Sequence, residues 1–275
     1  PDAPNEYRGE LADIPTRIPG VHFTELMPKM ASIADKAVFI RSLVGADGRH
    51  DAFQCQSGFK ADNLAAIGGR PAMGCVLSKM LGRPEDTTPI FVDLMQGRPM
   101  VRNSARPGFL GPAYNPFRPD ISNMFHRQLE EKMKVELAQH GPNYTSSLSL
   151  HNELTVGRLD NRLELLDRLD HVRRRIDHSS SMDAMDRFTQ RAYAILTSGK
   201  LAEAMDLSRE DPRTLRHYTP QIESTGHRYH TAEGPEAARK LLLARRLVEA
   251  GVRCVSVSIS DFDTHTNNYP RLRKL

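Results

Sequence analysis

The chain has 275 residues, 39% of them hydrophobic and 26% charged, which is enough to bury the core of one large α/β domain or two smaller ones. No apolar run approaches the roughly 20 residues that a membrane-spanning helix needs. The formal net charge of +4 is mild, and the basic residues are scattered among acids without interleaved aromatics, which argues against a nucleic-acid partner. Cys55, Cys75 and Cys254 show neither metal-ligand spacing nor an even disulfide framework. A Cys55–Cys75 bridge stays open if the chain is exported, and Cys254 reads as a small apolar residue inside a strand.

Residues 1–20 are rich in Pro and Gly and read as extended. After Ile18-Pro-Gly20, the residues Leu26, Met30, Ile33, Ala34 and Ala37 share one face of a predicted helix. Residues 37–44 read as a buried strand ending in a polar turn, where His50 and Asp51 open a short helix. Asp51 fits an N-cap and His50 a loop histidine. A group at such a helix start also meets free N–H groups and a field that favours anions, so His50 stays a candidate for chemistry. Gly68-Gly-Arg-Pro71 precedes a short helix and lacks the Gly-Lys-Ser/Thr of a phosphate loop. Residues 89–94 read as a second strand. Residues 96–119 form a long loop of Gly, Pro and Arg, of the kind that covers a site or moves freely. Its arginines Arg98, Arg102 and Arg106 either face an anion or point into solvent.

The middle of the chain is helical in pattern. Met124, Leu129, Met133 and Leu137 mark one amphipathic helix, and Leu159, Leu163, Leu166, Leu169, Val172 and Ile176 mark the most regular one. Met182, Met185, Phe188, Ala192, Ile195 and Leu196 continue in helical register, and residues 201–207 add a short helix. A polar connector follows to residue 231, where His227 and His230 have no helix to align them as ligands. Residues 121–230 are therefore expected to be a mainly helical insertion between parts of one sheet.

Near the C-terminal end, Leu241, Leu242, Ala244, Leu247 and Val248 recur at helical spacing, and Gly251 supplies a left-handed stop. Val255, Val257 and Ile259 then alternate with Ser256, Ser258 and Ser260 as a strand does. That strand runs into Asp261-Phe-Asp-Thr-His265, two carboxylates and an imidazole in one short loop. Ligands of α/β sheets bind beyond the carboxyl ends of the strands, so the loop is placed for a metal. Asp263 or Thr264 serves equally as a helix N-cap.

Several blocks of the chain resemble the exported bacterial family called domain of unknown function 1501, abundant in planctomycetes. They include Pro1-Asp-Ala-Pro-Asn-Glu-Tyr-Arg-Gly9, Ile18-Pro-Gly20, Gly108-Phe-Leu-Gly-Pro-Ala113, Leu242-Leu-Ala-Arg-Arg-Leu-Val-Glu-Ala-Gly-Val252 and Asp263-Thr-His265, in family order along essentially the whole chain. The resemblance implies an α/β fold of the alkaline phosphatase and sulfatase type, a parallel sheet between helices with metal ions at the strand ends. It also implies a twin-arginine-type export signal and an exported, periplasmic or cell-surface location. Asp263 and His265 match the family's Asp-Thr-His motif, and His50 falls in its histidine-bearing turn. Further family segments lie before and after this stretch. Residues 1–275 are accordingly read as a single, incomplete domain of a longer protein.

The expected activity is metal-dependent hydrolysis of phosphate or sulfate esters on a small molecule or polysaccharide. Asp261, Asp263 and His265 would hold a divalent metal (zinc, manganese or calcium), His50 would act as ligand or acid–base group, and Arg106 would clamp the ester anion. His50 and His265 are expected to approach each other across the strand ends. No hydroxyl or thiol stands at an obvious nucleophile position. The competing expectation is therefore an exported binding or surface protein that keeps the fold without catalysis.

Overall fold

The computed structural model describes residues 4, 9–45, 53–60, 69–95, 105–119, 121, 156–162, 164, 181–219, 236–259 and 268–272. In chain order these form strands β1 (Asp13–Pro15) and β2 (His22–Thr24), and helices α1 (Pro28–Ser32), α2 (Phe53–Ser57) and α3 (Met73–Leu81). Strand β3 (Phe91–Leu94) follows, then helices α4 (Ser181–Ser198), α5 (Lys200–Met205), α6 (Pro212–His217) and α7 (Arg239–Glu249). Strand β4 (Cys254–Val257) and helix α8 (Asn268–Leu272) complete the mixed α/β set. The residues sort into two compact units: Pro1–Ala46 with Gly226–Thr231 and Asp261–Leu275, and Asp47–Thr225 with Ala232–Ser260.

In the first unit β1 and β2 pair antiparallel, with Ile14 opposite Phe23. The turn between them is set by Thr16, whose hydroxyl accepts from Ile18 N at 3.1 Å, and by Gly20 at φ 74°. The helix expected after Gly20 is short: α1 spans one turn and a 3₁₀ turn, Ala34–Lys36, follows it. Only Ala31 and Ala34 are buried there, while Met30 and Ile33 are exposed. Residues 37–44 join no ladder, against the strand reading. Val38, Ile40, Leu43 and Val44 are exposed, and only Phe39 packs, edge-on against Phe23 at 5.3 Å between centroids. Strand propensity is realised only against a hydrogen-bonded neighbour, and none lies beside this segment among the described residues.

In the second unit β3 and β4 pair parallel, Phe91 to Cys254 through Leu94 to Val257. Phe117 extends the ladder on the other edge of β3, donating to Phe91 O at 3.0 Å and accepting from Asp93 N at 2.9 Å. Period-two alternation divides the pair into two faces. Val92 and Leu94, with Val255 and Val257, pack against Leu243 and Leu247 of α7 and Leu201 and Ala204 of α5. Phe91 packs on the other side against Ala72, Cys75 and Ala105, joined by Cys254. Both faces are thus covered, as parallel strands require.

The apolar stripe of α7 keeps Leu242, Ala244 and Leu247 of the expected face, with Leu243 in place of Leu241 and Val248. Leu242, Leu243 and Leu247 are buried, whereas Leu241 is 47% and Val248 56% exposed. Gly251 ends the helix at φ 112°, and Val252 N returns to Leu247 O at 3.0 Å to close the cap. The neighbouring arginines are not a solvated face. Arg246 donates to the carbonyls of Ala204 (2.9 Å), Glu203 (2.7 Å) and Asp206 (3.1 Å), capping the C-terminal end of α5. Glu210 receives Arg246 and Arg245 on one oxygen, each at 2.9 Å. In the described part of residues 121–230 the elements are helical and no strand occurs. Among the described residues no helix is long and apolar enough to cross a membrane.

Two predictions follow from this packing. A Cβ on Gly74 would lie 2.5 Å from the ring of Phe91, which is itself buried. Gly74→Ala should therefore lower stability by up to about 2 kcal/mol, although alanine is the better helix former by roughly 1 kcal/mol. Urea midpoints of the two proteins decide it, and a more stable variant would show that Phe91 yields. The bond from Arg246, then the one from Arg245, holds the Glu210 carboxyl below its ordinary range. A depressed native value adds stability that is complete above the unfolded value and is lost as pH falls through the native one. Glu210→Gln should flatten the acid limb of the stability–pH curve at its low end and leave the slope near neutrality unchanged.

Candidate functional site

Ligand sites of α/β folds form where parallel strands end. β3 and β4 run in the same direction and in register, so their carboxyl ends leave the sheet on one side. β4 leads toward residues 261–265, and β3 toward the loop whose described part begins at Ala105.

The best-defined polar cluster beside these ends is centred on Asp93, which is 1% exposed within an otherwise apolar strand. Its register partner Ser256 donates a hydroxyl hydrogen bond to Oδ1 at 2.5 Å. Arg118 Nε donates to Oδ2 at 3.0 Å, and Ala105 N approaches the same oxygen at 3.4 Å. The Arg118 guanidinium also donates to the Ala105 carbonyl. One carboxylate thus joins both strands and both ends of the 105–118 loop. Burial, the largest cause, pushes the Cys75 thiol up to about 12, with Asp93 and Cys254 adding to it and Arg118 opposing. Cys254 is also raised, by burial and by Asp93. Both shifts favour the protonated thiol, the weaker nucleophile. All three cysteines are free, with Cys55 exposed and Cys75 buried.

A second buried cation sits at the start of α7. Lys240 is wholly buried and donates from Nζ to the Ser258 carbonyl at 2.8 Å, holding the backbone just beyond β4. The Ser258 hydroxyl is buried and has no hydrogen-bond partner.

Of the residues singled out from sequence, Arg106 is described, and its side chain is exposed. Its contribution is through the backbone, where its carbonyl accepts from Ala72 N at 2.8 Å and latches the loop to the start of α3. His50, Asp261, Asp263 and His265 lie outside the described residues, as do Arg98, Arg102, His227 and His230. Among the described residues no group of three or more His, Cys, Asp or Glu could hold a metal ion. Asp93 does not fit that role, because both its oxygens are taken by protein donors. Sequence reading missed Asp93, Arg118, Lys240 and Arg70. For Asp93 a signal existed, since one acid inside Ile-Phe-Val-Asp-Leu must be paired once that strand is buried.

The family described as "Protein of unknown function (DUF1501)" matches the chain over residues 3–275. Neither a curated protein nor a solved structure matches it.

Replacing Asp93 tests how far the cluster depends on charge. Asp93→Asn keeps the shape but leaves Arg118 without its anion, and should cost about 3 kcal/mol. Ser256→Ala removes one donor from a carboxylate that keeps its arginine, and should cost about 2 kcal/mol or less. Chemical denaturation of both variants checks the order. Equal losses would mean that the hydroxyl, and not the guanidinium, is the essential partner.

Proposed function

The chain belongs to the DUF1501 family, and from that membership we propose that it is part of an exported, metal-dependent hydrolase of phosphate or sulfate esters. In this reading β3 and β4 belong to a larger parallel sheet of the alkaline phosphatase type. Asp261, Asp263 and His265 hold a divalent cation (zinc, manganese or calcium), and His50 serves as ligand or acid–base group. When bound, such a cation stabilises negative charge developing on the ester oxygens. The observation that carries the proposal is the parallel, in-register pairing of β3 with β4. It supports a ligand side at the carboxyl ends of the strands, and in sequence the Asp-x-Asp-x-His segment follows β4.

A second reading, a binding or surface protein without turnover, is favoured by one specific observation. The hydroxyl of Ser256 is committed to Asp93, and the Cys75 thiol is buried and held protonated. Two of the candidate nucleophiles beside the strand ends are thus already engaged or protonated, which leaves the buried, unpartnered Ser258 hydroxyl just beyond β4. An activated water would still serve the hydrolase reading.

The deciding experiment compares melting curves with and without added Zn²⁺ or Mn²⁺. Asp263→Asn can still cap a helix, costing about 1 kcal/mol or less, but it loses the anionic oxygen of a ligand. His265→Gln keeps polarity and gives up the imidazole nitrogen. Both variants should melt normally in chelator and lose the metal-induced gain of the wild type. If the wild type gains nothing, or both variants gain as much as it does, Asp-Thr-His is a structural turn and the binding reading takes over.

A further inference from the structure

We infer that Arg70, and not Arg106, is the residue that receives the oxyanion of the ligand, a phosphate or sulfate group. The inference deepens the ester reading above. It starts from an arginine that is stacked on an aromatic ring and has no acid partner among the described residues.

Arg70 is half-buried. Its guanidinium lies over the ring of Phe59 at 4.5 Å from the centroid. Stacking of this kind occupies one face of the guanidinium plane and leaves the N–H edge to find acceptors. Nε is buried and has no hydrogen-bond partner. No carboxylate pairs with Arg70 among the described residues, although Arg118, Arg245 and Arg246, comparably or more buried, are all answered by acids. Partial burial of a cation is costly unless it is paired, so a half-buried arginine that no described acid answers has room for an anion as its partner.

The surroundings of Arg70 are built rather than incidental. Phe109 N donates to Gly69 O at 2.9 Å, and Ala72 N to Arg106 O at 2.8 Å, so the 105–110 loop is latched on both sides of Arg70. Gly108, at φ 53°, comes so close that a Cβ there would collide with the carbonyl of Gly69. Phe59 is fixed in turn by Ser57, whose hydroxyl accepts from Phe59 N at 3.1 Å. One turn before Phe59, the Gln56 side-chain oxygen is also buried without a partner. Turning the carboxamide over would present N–H donors at that position instead, an assignment that the hydrogen-bond network alone decides. Two polar side chains are thus left unanswered on the two segments that the Phe59–Arg70 stack joins. A tetrahedral oxyanion matches the planar fork of an arginine with two parallel N–H···O bonds.

Arg106 has none of these features. Its side chain is exposed, and its fixed contact is made by its backbone carbonyl.

The test uses the full chain in EDTA, with inorganic sulfate and inorganic phosphate titrated at constant ionic strength against chloride. The chain contains no tryptophan, so melting is followed by circular dichroism. The melting temperature of the wild type and of Arg106→Gln should rise with either anion, as ligand linkage requires. Arg70→Gln should weaken the apparent affinity by about tenfold or more, the loss expected for one charge-assisted bidentate contact. Arg70→Lys, which keeps the charge but not the fork, should fall between them. It carries the comparison if Arg70→Gln does not fold. No rise above the chloride control in the wild type, an undiminished rise in the Arg70 variants, or loss of the rise in Arg106→Gln would each overturn the assignment. Because metal is absent and no turnover is read, failure of the metal-site proposal leaves this result standing, and the reverse holds as well.

Discussion

A carboxylate buried in an apolar strand must be answered by donors, and the way Asp93 is answered ties this half of the molecule together. Ser256 reaches it from the neighbouring strand, while Arg118 and Ala105 reach it from the two ends of the loop after β3. Parallel pairs gain no local turn to set their register, because a long connection separates the strands. A side-chain bond between register partners supplies part of what the turn cannot. The same charge holds both ends of the loop, while backbone hydrogen bonds fasten the segment around Arg106 and Gly108 to the start of α3.

The other face of the strand pair is closed by different physics. Leu243 and Leu247 of α7 and Leu201 of α5 cover Val92 and Leu94 with apolar surface. The helices are locked to each other by polar contacts at their ends, where Arg246 takes up carbonyls that α5 leaves unsatisfied and Glu210 takes up the two arginines. Burial supplies the adhesion, and charge supplies the alignment. Both faces of the described strand pair are thus covered.

This arrangement bears on function through the groups it commits and those it does not. Ser256 and Cys75 are polar or reactive residue types close to the strand ends, yet the first is bonded to Asp93 and the second is buried and held protonated. Arg118 and Arg246 likewise spend their donors on the fold. Arg70 is held by its backbone neighbours and by an aromatic ring, with its Nε left over. Residues of that kind are more informative about ligands than exposed ones, because solvent does not explain them.

The sequence by itself determined the elements whose partners are near in the chain or whose pattern is strong. The strand at Phe91–Leu94, the helix before Gly251 and the strand at Cys254–Val257 were legible because alternation, helical spacing and a left-handed stop are local properties. Family membership was legible in long blocks of residues. On α7 the sequence pattern holds at Leu242, Ala244 and Leu247 but not at Leu241, since Leu241, Leu242 and Leu243 are equally apolar and only packing chooses among them. Residues 37–44 show the opposite failure, for strand propensity is present without the ladder that would realise it. Only the tertiary structure decided which charges are answered. Asp93 meets Ser256 across 163 positions of chain, and no local pattern reports a contact of that separation. The same holds for the different surroundings of Arg70 and Arg106. Their sequence surroundings are alike, Gly-Arg-Pro against Ala-Arg-Pro, and what separates them is that folding stacks one on Phe59 and turns the other to water.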